Sequence, residues 1–78
     1  MTKELIFTID DGTKYHVSVT PIPFNDNGVN RLKFEVKDPF SINIIQRLEQ
    51  DNWIHLEGDM KAEYVQRIGA VIRKNFDT

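Results

Sequence analysis

The chain contains no cysteine, which excludes a disulfide framework, a thiolate nucleophile and any zinc site built on sulfur. It also lacks an excess of positive charge. With 10 Lys and Arg against 12 Asp and Glu, the formal charge is -2. The global field that drives sequence-independent binding to duplex nucleic acid is therefore missing, and only a local basic patch remains open. Long apolar runs are absent as well: residues 1–7 offer only Leu5, Ile6 and Phe7 in succession, too few for a signal-peptide core or a membrane span. The expectation is a cytoplasmic chain with no membrane partner. No period repeats, and no Ser/Gly-rich linker divides the chain. What remains is 78 residues, 40% hydrophobic and 28% charged, which is one small domain over 1–78. At this size only about 60% of the unfolded surface is buried, so its core is thin.

Local patterning predicts an α+β fold. Leu5, Phe7 and Ile9 alternate with Ile6, Thr8 and Asp10, and Tyr15, Val17 and Val19 with His16, Ser18 and Thr20, which is the period of half-buried strands. Between them Asp10, Asp11 and Gly12 suit a three-residue hairpin loop with Gly12 left-handed. That turn places Phe7 opposite Tyr15 and Leu5 opposite Val17. Residues 21–28, with Pro21, Pro23, Asn25, Asp26, Asn27 and Gly28, read as a loop. Leu32, Phe34 and Val36 alternate with Arg31, Lys33, Glu35 and Lys37 to give a third strand. Residues 53–57 read as a last strand with Ile54 and Leu56 inward and Trp53 and His55 outward.

Residues 40–49 fit both a helix and a strand. Three isoleucines in four positions disfavour the helix, although Asp38 and Pro39 resemble a helix start. A three-residue loop at 50–52 with Asn52 left-handed would set Leu48 opposite Ile54, so a strand is preferred. The link from Val36 to Phe40 reads as a corner or bulge, because Pro39 cannot adopt a left-handed conformation. From an N-cap at Asp59, the residues Met60, Tyr64, Val65, Ile68, Val71, Ile72 and Phe76 line one helical face, with Glu63 and Arg67 spaced as an exposed pair. The expected architecture is β-β-β-β-β-α, a five-stranded antiparallel sheet with one amphipathic C-terminal helix on one face. The alternative is β-β-β-α-β-α, with 40–49 helical.

Chemistry-bearing motifs are sparse. His16 and His55 lie on separate strands, and Glu35 and Glu57 do not complete a ligand set with close spacing, so no metal site is expected. The Asp/Asn/Gly turns fail the calcium-loop pattern, because Ser18 and Phe34 stand where it needs glutamate. Ser18 and Ser41 lack a nucleophile-elbow context, no glycine pattern resembles a phosphate loop, and acidic residues occur only singly or in turns. No catalytic residue and no cofactor are expected. Strand parity places Trp53, His55, His16, Arg31, Lys33, Lys37, Ile45 and Arg47 on the outer sheet face, with Ile6, Ser18, Glu35, Glu49 and Glu57 among them. Apolar and aromatic groups edged by cations have the composition of a recognition surface. The leading expectation is a non-enzymatic module that binds a protein partner or a second copy through this face around Trp53. Single-stranded nucleic acid stacking on Trp53 is the alternative. A subunit of an oligomeric enzyme with His16 or His55 as base is the third. Gly69, inside the helix, costs about 1 kcal/mol relative to alanine, which close packing of the helix on a strand would repay. A helix contact within a homodimer is the other reading of it.

Overall fold

The computed structural model describes residues 1–8, 12–49 and 52–76. Five strands, β1 (Lys3–Thr8), β2 (Lys14–Asp26), β3 (Val29–Lys37), β4 (Ile42–Arg47) and β5 (Trp53–Glu57), precede one helix, α1 (Ala62–Phe76). The strands form a single antiparallel sheet in chain order, so the expected β-β-β-β-β-α architecture holds and the helical alternative for 40–49 does not. Leu5 pairs with Val17 and Phe7 with Tyr15, as the first hairpin's pattern requires, and Gly12 is left-handed at φ +86°. Ile9, Asp10 and Asp11 lie outside the described residues.

The stretch expected as a loop at 21–28 is instead the far end of a long hairpin, with a turn of only Asn27 and Gly28 at φ +52° and +88°. Both values fit a type I′ turn, whose twist matches that of the flanking strands. A two-residue turn makes Asp26 and Val29 a hydrogen-bonded pair, and such pairs alternate along the ladder. Pro21 and Pro23 therefore fall at positions whose nitrogens face away from β3. β1 pairs with β2 only as far as Val19, so those nitrogens lie on an open edge, where proline removes no bond.

The link between β3 and β4 is a tight turn rather than a corner. Asp38 N–H donates to the Ser41 carbonyl at 3.0 Å, and Asp38 Oδ1 accepts the N–H groups of Phe40 and Ser41, each at 2.7 Å. Asp at the first and Pro at the second position suit a type I turn. It sets Phe34 opposite Ile45 and Val36 opposite Asn43, which turns the odd-numbered residues of β4 toward the core. The next hairpin closes at Leu48 and Asn52, whose N–H and carbonyl meet at 2.7 Å. The register is Gln46 with Ile54 and Arg47 with Trp53, so the expected Leu48–Ile54 pairing is displaced by two residues on β4. Asn52 is not left-handed either, since Asn27 is the non-glycine residue at positive φ among those described. The inward set of β5 is accordingly reversed: Trp53 is buried, while Leu56, the extra residue of a bulge opposite the Ile44/Ile45 step, is exposed.

One face of the sheet carries the core: Leu5, Val17, Val19, Phe34, Val36, Ile45 and Trp53 pack against Val65, Ile68 and Ile72 of α1. Phe34 stands 5.7 Å from Trp53 and 5.4 Å from Phe76, both tilted, within the favourable range for aromatic pairs. α1 begins at Ala62, with Lys61 accepting the N–H groups of Tyr64 and Val65, so Asp59 is not its N-cap. The N–H groups of Asp59 and Met60 go instead to Oδ1 of buried Asn43, at 3.1 and 3.2 Å. α1 packs on β5, β1 and β4. A flat five-stranded sheet would be about 19 Å wide at 4.8 Å per strand, against a helix of about 10 Å, so reaching both outer strands requires the sheet to curl around α1.

Candidate functional site

The residues expected to share the outer face divide between two surfaces. His16, Arg31, Lys33 and Lys37 lie on the side away from α1, in cross-strand rows with Ile6, Phe24, Ile22 and Ser18. Trp53, Ile45, His55 and Arg47 lie on the helix side, because the Asp38–Ser41 turn inverts the parity of β4 and β5 relative to the pattern read from the sequence. Ile45 is fully buried, and Trp53 is 3% exposed. Gly69 lies directly over Trp53: a Cβ at Gly69 would come within 2.5 Å of three indole atoms. This is the close helix–strand approach that the glycine predicted. A surface centred on Trp53 does not exist on the folded chain.

Polar contacts hold these inward groups. Trp53 N–H donates to Gln66 Oε1 at 3.2 Å, and Gln66 Nε2 donates to the Trp53 carbonyl at 2.6 Å. The amide of Gln66 thus stands in for a neighbouring strand at the edge of β5. Half-buried His55 lies with Nε2 at 3.1 Å from Asn43 Oδ1, so its partner is an amide rather than the carboxylate a general base would use. Asn43 Nδ2 donates to Ser41 Oγ at 3.3 Å. These bonds join β4, β5 and the approach to α1, and they account structurally for the buried asparagine. Among the described residues no group of three or more His, Asp and Glu is placed to hold a metal ion, and no helix is long and apolar enough to cross a membrane.

On the side away from α1 the surface has a different centre. The row Thr20–Glu35–Ile44–Glu57 neighbours the row Ile22–Lys33–Gln46–Ile54, and Lys37 pairs with Ile42. Ile42 is 53% and Leu56 43% exposed, with Ile44 and half-buried Ile54 beside them. Lys33, Lys37, Glu35 and Glu57 border this patch, and Lys33 Nζ also lies 5.3 Å from the centre of the Phe24 ring. Arg31 pairs with Asp26 at 3.1 Å; on the helix side, Pro23, Leu32, Phe34 and Arg47 line a separate groove of about 420 Å³ that Arg31 borders. The sequence reading missed the patch by turning Ile54 and Leu56 inward. The signal that could have found it is the Asp38-Pro39 pair at the head of a type I turn. No protein-family model, curated protein or solved structure matches this chain.

Proposed function

We propose that the chain is a cytoplasmic, non-enzymatic binding module that docks a folded protein partner on the helix-free face of its sheet, around Ile42, Ile44, Ile54 and Leu56. The observation that carries this reading is a pair of apolar side chains, Ile42 and Leu56, about half exposed on the sheet side where no described element packs, with Ile44 buried and Ile54 half-buried beside them. A one-sided antiparallel sheet ordinarily turns polar residues to water, so these positions are out of keeping with mere solvation. Lys33 and Lys37 border the patch along β3 and Glu57 along β5, an apolar centre with a mixed-sign rim of the kind protein interfaces use. Single-stranded nucleic acid is less well served. Burial of Trp53 takes the stacking platform away, and Glu4, Glu35 and Glu57 stand among the cations on that face.

Ile42→Asp with Leu56→Asp tests the reading, since exposed positions tolerate the change with little loss of stability. In quantitative crosslinking from cells, a protein joined to the wild type and lost from the double variant supports the proposal, provided it shifts the amide resonances of β4 and β5 when added back. A crosslinking pattern that the double variant leaves intact overturns it. Labelled oligonucleotide bound at low salt and released by added salt would move the function to nucleic acid.

A further inference from the structure

A second surface, separate from the sheet face, sits at the end of the molecule where the Asp38–Ser41 turn meets the start of α1. Phe40 is 95% exposed, yet its backbone is held firmly, because its N–H and that of Ser41 share Asp38 Oδ1, which Ser41 Oγ also approaches at 3.2 Å. An aromatic ring kept in water on a braced turn gains no burial from the rest of the described chain. Asp38 and Ser41, either side of this tip, line a cavity of about 260 Å³ walled by Tyr15, Asn43, Met60 and Tyr64. Benzene needs about 150 Å³, so this solvent-open cleft has room for a benzyl group. Tyrosine edges and a methionine thioether are favourable neighbours for an aromatic ring.

We infer that two copies of the chain associate about a two-fold axis, each placing Phe40 in the other's cavity. Knob and hole stand next to each other on one chain, since Phe40 is covalently joined to Ser41, which lines the hole. A two-fold axis between them satisfies both at once, as a closed, self-complementary contact requires. The rim carries charges of both signs: Asp38 lies on the sheet side of the cavity, and Asp59 and Lys61 on the approach to α1. In the two-fold pair Lys61 is the cation available to the carboxylates of the other copy. The contact is small, which makes it a weak dimer of the transient class.

Sedimentation of the purified chain across concentrations up to about 1 mM, where weak association becomes half-populated, tests this directly. The wild type forms a dimer. Phe40→Ala removes both anchors of the symmetric pair, at about 30-fold each, which takes association out of this concentration range, and it leaves the folded monomer unchanged because the ring is 95% exposed. Lys61→Glu, which makes the rim wholly acidic, weakens association more at low salt than at high salt. In a mixture of labelled and unlabelled chains, intermolecular contacts run from the Phe40 ring to the Met60 methyl. A chain monomeric throughout, a dimer that Phe40→Ala leaves unaltered, or species growing beyond two copies would each overturn the two-fold exchange. Ile42→Asp with Leu56→Asp leaves the dimer intact, which separates this association from the sheet-face reading.

Discussion

Trp53 is inaccessible beneath α1, and its indole is in contact range of Phe34 and directly under Gly69. Trp53→Ala therefore costs about 3–5 kcal/mol, read as a fall in the denaturant midpoint, rather than the loss of association alone that an exposed tryptophan would show. Gly69→Ala sets two effects against each other. Helix propensity gains about 1 kcal/mol, while forcing a methyl into the inner atoms of the indole costs about 1–3 kcal/mol. The clash outweighs the gain, so the variant unfolds at lower denaturant than the wild type, and a stabilised variant would show that the indole gives way. The sequence marked Gly69 as a close approach because a mid-helix glycine is locally unfavourable. It could not mark Trp53 as its partner, since a lone Trp in WIHLE satisfies strand preference on either face. The same ambiguity hid Phe40, whose exposure depends on which turn carries it.

At the scale of elements, β1, the first half of β2, β3 and the helix were legible from period, β4 only with the help of β-branching and turn spacing, and the faces of β4 and β5 were not legible. Three isoleucines in INIIQR make both faces apolar, so alternation loses its meaning there, and parity passes to the turn at residues 38–41. Asp38→Ala removes the acceptor shared by the Phe40 and Ser41 N–H groups. It should cost about 1–2 kcal/mol, with amide exchange accelerated first in β3 and β4. The β2–β3 hairpin was misread for the opposite reason. Pro21 and Pro23 are strong loop signals only where both strand edges are paired, and here their nitrogens face an edge. Gly28 at φ +88° leaves that hairpin dependent on glycine, so Gly28→Ala should cost about 1–2 kcal/mol in thermal unfolding. An unchanged midpoint would mean that the turn relaxes to another type.

Taken whole, the molecule guards its sheet edges by three unlike devices. Gln66 occupies the backbone groups of Trp53 on β5, Arg67 Nη1 reaches the Thr8 carbonyl on β1 at 3.4 Å, and the prolines disable the stretch of β2 that β1 leaves uncovered. Gln66 and Arg67 are consecutive, and the turn of about 100° between them aims one at each side of α1. Gln66→Ala frees the Trp53 N–H and carbonyl, and an unoccupied strand edge is a template for pairing. The variant should lose about 1 kcal/mol and aggregate faster on warming, which light scattering follows. The curl of the sheet around α1 also bears on how the chain acquires its structure. Each strand meets its neighbour across a short turn, so the hairpins close locally and early. The contacts of Lys3 with Asn75 and Phe76 span nearly the entire sequence and pay the largest loop-closure entropy. As the chain is synthesised, α1 emerges after all five strands, and until it does the concave apolar floor from Leu5 to Trp53 lacks the helix that covers it. Final assembly is therefore a single late docking event, and any slowing of translation over the codons for α1 lengthens the exposure of that floor.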